Sequence, residues 1–155
     1  MGRIEHIDNP NAPRANSIVV AATAFVLDKD HRVLLIRRTD NGLWALPGGA
    51  QDFGETVASA AERETLEETG ISVRVTAIVG VYSSPHHVVE YSDGEVRQQF
   101  SLCFRADPVG GTLTTSDESS EVRWVSESNL DDLDINPSMR LRIEHGFANR
   151  APYIG

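Results

Sequence analysis

Three glutamates, Glu64, Glu67 and Glu68, fall at i, i+3 and i+4 within Thr56–Thr69 (TVASAAERETLEET). The run is dense in helix formers, and Gly70 follows it where a left-handed C-cap is wanted, so a helix ending there is expected. At 3.6 residues per turn the three carboxylates project from one side of that helix. Like charges crowded in this way disfavour ionisation, and a divalent cation, which prefers hard oxygen ligands, relieves the conflict. A glutamate triplet standing alone reads as a solvated helix face. The residues around it decide the matter.

The stretch Gly49–Ile71 (GAQDFGETVASAAERETLEETGI) resembles the signature box of the Nudix hydrolase family, written GX5EX7REUXEEXGU with U aliphatic. Gly49, Glu55, Arg63, Glu64, Glu67, Glu68 and Gly70 fill every fixed position, and Ile71 fills the last aliphatic one. Thr65, isosteric with Val, stands where the first aliphatic residue is expected. With each residue type at roughly 5–10% of an average chain, such a match arises by chance on the order of once in a million. Just upstream, Trp44-Ala45-Leu46-Pro47-Gly48-Gly49 is similar to the WxLPGG lead-in frequent in that family.

The resemblance implies an α/β (α+β) fold, the Nudix-type α/β/α sandwich with a mixed sheet and a catalytic loop-helix-loop. It implies hydrolysis, with Mg2+ or Mn2+, of the pyrophosphate linkage of a nucleoside diphosphate joined to another moiety, by water attack on phosphorus. The substrate would be ADP-ribose-like or a nucleoside triphosphate. Metal ligands carried over from the box are Gly49, through its carbonyl, Glu64, Glu67 and Glu68; Arg63 would pair with Glu55 and fix the neighbouring carboxylates. Family members often add an acid from the loop before the last strand. Here DESSEVRWV offers Asp117, Glu118 and Glu121, of which Glu121 is the first choice as ligand or base and Glu118 the second. The general base is then Glu67 or Glu121. Two alternatives belong to other classes: a catalytically idle nucleotide sensor on the same fold, and a structural cation-binding domain. Idle modules commonly lose box carboxylates, and none is missing here.

Candidates for substrate binding lie outside the box. Tyr82, His86, His87, Tyr91 and Arg97 surround the SSPHHVVEYSDGE segment and could stack on a base or bind phosphate. Arg37 and Arg38 close the strand that leads into WALPGG, so one of them can reach the phosphates, and alternation does not say which. Pro85, 14 residues beyond Ile71, is similar to a proline of some ADP-ribose pyrophosphatases; against that substrate, only 16 residues precede Ser17, fewer than such enzymes usually carry.

These residues need a frame. Residues 1–16 are polar and aperiodic and read as an arm; 17–149 read as one domain, and 150–155 as a tail. SIVVAATAFVLD and RVLLIRR read as strands around a DKDH turn, whereas LWALPGGAQDFG is too rich in Gly and Pro for either regular element. ISVRVTAIVGVY, VRQQFSLCFRA and EVRWVS read as further strands, SSPHHVVEYSDGE as a long loop or hairpin tip and DPVGG as a turn. Asn136-Pro137 opens a second helix running to about Asn149. Strands before, between and after two helices imply a mixed sheet with helices packed on it.

Bulk charge completes the reading. At −9, the 155-residue chain has no basic footprint for a long nucleic acid. Residues 49–71 hold six acids against one arginine and residues 117–134 seven against one, so the remainder carries +2. A cation held by the acidic segments would invert the local sign and make a small polyanionic nucleotide the natural partner. The longest apolar stretch, Ile18–Leu27, has 10 residues, short of the ~20 that span a bilayer. With a single cysteine and no signal-like start, a cytoplasmic monomer or homodimer without membrane partners is expected.

Overall fold

The computed structural model describes residues 2–155. Ten strands form two sheets: β1 (Arg3–Ile7), β2 (Ser17–Val26), β3 (Val33–Arg38), β4 (Trp44–Ala45), β5 (Gly48–Ala50), β6 (Ile71–Tyr82), β7 (His87–Tyr91), β8 (Val96–Gly111), β9 (Ser119–Val125) and β10 (Tyr153–Ile154). Two α-helices, α1 (Val57–Thr69) and α2 (Pro137–Ala148), and a 3-10 turn at Glu127–Asp132 complete the chain. The sheet is mixed, as expected. Its centre is the parallel pair β2–β8, with Ala21 opposite Ser101. β5 pairs antiparallel on the far side of β2, and the other edge of β8 is shared by β7 (residues 96–98) and β6 (residues 101–111). A small antiparallel sheet, β4-β3-β9, stands beside it.

Alternation along β2 explains why helices cover both faces. Ala22 points to one face and packs against Ala60 and Ala61 of α1, whose short side chains let helix and sheet approach closely. Phe25 points to the other face, where its ring meets Phe147 of α2 edge-on at 5.1 Å and leaves no room for a side chain at Gly146. The small sheet closes one end of this sandwich: Leu34 joins Ala24 and Val26, while Val33 and Leu35 join Phe25, Leu46 and Ile143. Thr65 is fully buried, and its hydroxyl donates to the Ala61 carbonyl at 2.7 Å, so the departure from the box costs no unpaired group. None of the helices among the described residues is long and apolar enough to cross a membrane.

Several segments differ from the sequence reading. Arg3–Ile7, read as part of an arm, is strand β1, antiparallel to β7. Its pattern is inverted: Ile4 and Ile7 are exposed, while Glu5 turns inward, so apolar alternation gives no signal. WALPGG contains β4 and β5, two short strands tied to β3 and β2. DPVGG continues β8 opposite Ile71–Arg74 rather than turning, whereas the segment after Tyr82 takes the hairpin form, with β7 antiparallel to the start of β8. Tyr153–Ile154 of the tail adds a parallel strand to β6.

Glu5 anchors this N-terminal strand. It accepts from Asn136 Nδ2 at 2.7 Å and pairs with His87 Nε2, joining β1 to β7 and to the start of α2. Burial opposes ionisation, but the bonds from His87 and Asn136 outweigh it and hold the carboxyl at about 2, well below its ordinary 4.5. A depressed carboxyl pKa stabilises the fold above the unfolded value and stops doing so as pH falls through the folded one. Glu5→Gln is therefore expected to lose about 1–3 kcal/mol in urea unfolding at pH 7. The gap to wild type should close as the pH is lowered from 4.5 towards about 2.

Candidate metal centre and substrate pocket

Helix α1 is delimited as its sequence requires. Thr56 caps the start, its hydroxyl accepting from the Ser59 N–H at 3.0 Å, and Gly70 ends it with φ 78°. Between these caps Glu64 and Glu68 stand one turn apart and face β5. Gly48 donates its N–H to Glu68 Oε1 at 2.8 Å. Gly49 lies so close to Glu64 that a Cβ there would sit 2.6 Å from the carboxylate and displace it. Glu118, from the segment before β9, completes a cluster in which one oxygen from each of Glu64, Glu68 and Glu118 lies within 4.8 Å of the others. The Ser119 hydroxyl donates to the Glu68 carbonyl at 2.6 Å and ties that segment to the helix.

The donor set fits a hard divalent cation. All the clustered atoms are carboxylate oxygens, and Glu68, 2% exposed, has a buried Oε2 with no hydrogen-bond partner. Burial pushes the Glu68 carboxyl up to about 8, against the favourable Gly48 N–H, and Glu64 and Glu118 add repulsion. Glu64 is also raised, by burial first, with Arg63 opposing. A cation reverses both effects.

Arg63 organises the rim. Its Nε and Nη2 grip Glu55 at 3.0 and 2.8 Å, and Nη1 reaches Glu64 at 2.9 Å and Glu67 at 3.2 Å. The expected Arg63–Glu55 pair is thus present, and the arginine holds Glu55 at about 2. Glu67 is exposed and lies outside the three-carboxylate cluster, though it shares a shallow depression with Glu68 and Glu118.

The structure does not bring Glu121 to the cluster. Glu121 lies opposite Arg37 across β3–β9, and its two oxygens are taken by Arg37 at 3.0 Å and Arg123 at 2.6 Å. Glu118, the second choice, stands in its place. The difference has a local cause: Glu121 lies within β9, which begins at Ser119, and the acid that reaches α1 precedes the strand. As adjacent residues of β3, Arg37 and Arg38 point to opposite faces: Arg38 lines the pocket beside the cluster while Arg37 stays with Glu121.

That pocket, a cavity of about 260 Å³, runs from Glu64, Glu118 and Gly49 over one face of the large sheet. Its floor consists of odd-numbered residues: Val19, Ala21 and Thr23 on β2, Arg97, Gln99 and Ser101 on β8. Arg97 is present as expected, held by Glu95 and stacked on Tyr91. Tyr82 and His86 line an adjoining cavity that shares His87, Gln99, Ser138 and Arg142 with the first. Arg3, Glu5, Asn136 and Arg142 also line the pocket and were missed. A period-two run of polar residues in β8 was a usable signal for the floor; nothing local announced the residues contributed by β1 and α2.

A mixed sheet between helices, with an acidic helix and a glycine-lined strand facing one pocket, defines an α/β scaffold built around a carboxylate cluster. Residues 18–145 match the NUDIX domain model, and the chain belongs to the Nudix hydrolase family. It is 39% identical over 119 residues to a MutT-like protein of Streptomyces ambofaciens, covering 77% of this chain and 70% of that protein. It is also 39% identical over 109 residues to an ADP-ribose pyrophosphatase of Methanocaldococcus jannaschii, covering 68% of this chain and 60% of that one. A NUDIX hydrolase from Nitrosomonas europaea superposes with a TM-score of 0.73 at 26% identity, over 90% of this chain and 80% of its own.

A raised carboxyl pKa stabilises the protein fully below the unfolded value and less as pH rises through the folded one. In EDTA the melting temperature is therefore expected to fall between pH 4.5 and about 8 through Glu68. Glu68→Gln should flatten that slope and melt higher than wild type at pH 8; an unchanged slope in the variant would contradict the assignment.

Proposed function

We propose that this protein hydrolyses the diphosphate linkage of a small nucleoside diphosphate derivative in the cytoplasm, the setting suited to its lone free thiol at Cys103. The observation that carries the reading is the Glu64–Glu68–Glu118 cluster, with the orphaned Glu68 Oε2, opening on a pocket lined by Arg38 and Arg97. Glu64, Glu68 and Glu118 would hold Mg2+ or Mn2+, with the Gly49 carbonyl as a further donor. When bound, the ion neutralises phosphate charge and lowers the pKa of a water.

The remaining work belongs to the side chains. Arg63 holds Glu64 and Glu67 in place, and Glu55 in turn holds Arg63 in a two-pronged grip. Glu67, exposed beside the cluster and restrained only by a 3.2 Å contact with Arg63, takes the proton from the attacking water. Arg38 lies at the carboxylate end of the pocket, where a planar guanidinium suits phosphate oxygens. Relatives named ADP-ribose pyrophosphatase and putative 8-oxo-dGTP diphosphatase support substrates of this class.

The test is product release from ADP-ribose, NADH, dinucleoside polyphosphates and nucleoside triphosphates with Mg2+ and with Mn2+. Turnover of at least one class is expected, and silence across all of them refutes the proposal. Glu67→Gln should lower kcat by about 10²–10⁴-fold. Glu118→Gln should raise the metal concentration needed for half-maximal rate by about 10–100-fold. Glu121→Gln should leave both within about twofold of wild type, because its carboxylate is engaged by Arg37 and Arg123.

A further inference from the structure

Among the described residues, four buried side-chain polar atoms have no hydrogen-bond partner: Glu68 Oε2, Thr23 Oγ1, Ser101 Oγ and Arg142 Nε. The first belongs to the metal centre, and the other three residues line the same pocket. Buried polar groups are almost always paired, and leaving one unpaired is costly. Their concentration on one wall offers a polar ligand several unpaired groups at once, Thr23 being the least exacting because its hydroxyl also neighbours the Cys103 thiol.

Arg142 is the most unusual of them. It is 2% exposed, and a guanidinium stays charged at any physiological pH. Among the described residues no carboxylate forms a salt bridge with it. Its Nη1 donates to the Ser138 carbonyl at 2.7 Å, and its Cζ lies 4.4 Å from the centre of the Tyr82 ring. Tyr82 is the cross-strand partner of Ser101, so Ser101 and Arg142 flank the same ring. The strand order also places them at the right distance from the carboxylates. From Gly49 on β5 to Ala22 on β2, and from Ala21 on to Ser101 on β8, is two strand spacings, roughly 10 Å. A nucleotide with its diphosphate at Glu64 and Glu118 would bring its base to this wall.

Resting on the hydrolase reading above, we infer that Arg142, with Ser101 beside it, determines base specificity by donating to the adjacent keto oxygen and ring nitrogen of a 6-oxopurine nucleotide. Guanine and hypoxanthine present two neighbouring acceptors, O6 and N7, on one edge, whereas adenine sets an amino donor next to N7. Arginine has no acceptor to offer that amine, so adenine leaves a donor facing a donor. Sites built around buried polar groups discriminate by this asymmetry.

The first test needs neither metal nor turnover: calorimetric binding of IMP and AMP in EDTA, two ligands that differ at position 6 and in the proton on the neighbouring N1. IMP is expected to bind at least about tenfold more tightly. Hydrolysis of ITP against ATP should show the same preference, carried by KM rather than kcat. Arg142→Met keeps the length and removes the donors, and replacing a buried charge with a packed apolar group is often neutral or stabilising. Its melting temperature should hold or rise while the IMP preference falls to within about twofold; Arg142→Lys should retain part of it, and Ser101→Ala should lose a smaller share. Equal or AMP-favouring binding by wild type, or a preference that survives both Arg142→Met and Ser101→Ala, overturns the inference. So does a uniform loss of both ligands with a lowered melting temperature in Arg142→Met. IMP preference without hydrolysis of any nucleotide refutes the hydrolase reading instead, and hydrolysis without IMP preference refutes only the base assignment.

Discussion

Carboxylates brought within a few ångströms of one another repel, and the architecture around α1 holds Glu64, Glu68 and Glu118 together against that repulsion. Three devices do so. The Gly48 N–H fixes one oxygen of Glu68, Arg63 fixes Glu64, and the Ser119 hydroxyl fastens the Glu118 segment to the helix backbone. Each depends on an element that would otherwise have little reason to exist. β5 is three residues long, yet it carries Gly48 and Gly49 to the helix, and its pairing with Ala22 and Thr23 is what aims it.

The same constraint explains the small residues nearby. Ala60 and Ala61 let α1 settle on Ala22, and a larger residue at either place would move the carboxylates away from β5. The core on the opposite face obeys a different demand. There Phe25, Phe147 and Ile143 fill volume between sheet and α2, and α2 in turn carries Asn136 and Arg142 to the pocket.

Much of the carboxylate cluster was legible in the sequence because it is local. Glu64 and Glu68 share a helix face by spacing alone, and Thr56 and Gly70 mark the helix ends by their chemistry. What was illegible is what comes from afar. Glu118 reaches the cluster through a segment with no periodic pattern, and the choice of Glu121 failed because β9 begins two residues earlier than EVRWVS suggests. β1 was hidden for a physical reason: it buries Arg3 and Glu5 towards the pocket and leaves Ile4 and Ile7 outside, the reverse of a core strand. Nor could alternation choose between Arg37 and Arg38, because Val33–Ile36 ahead of them are apolar throughout and buried on both faces.

The hydrogen bond from Ser119 to the Glu68 carbonyl, joined by that from the Thr114 N–H to the Thr69 carbonyl, makes residues 114–119 a strut clamped at both ends to the last turn of α1. Glu118 is mounted on this strut one residue from its second clamp. The gap between Glu118 and the helix carboxylates is therefore set by the length of the strut. Adding or removing a residue between the clamps would change the spacing of the three carboxylates, and with it the radius of cation they would suit, while leaving every one of them present.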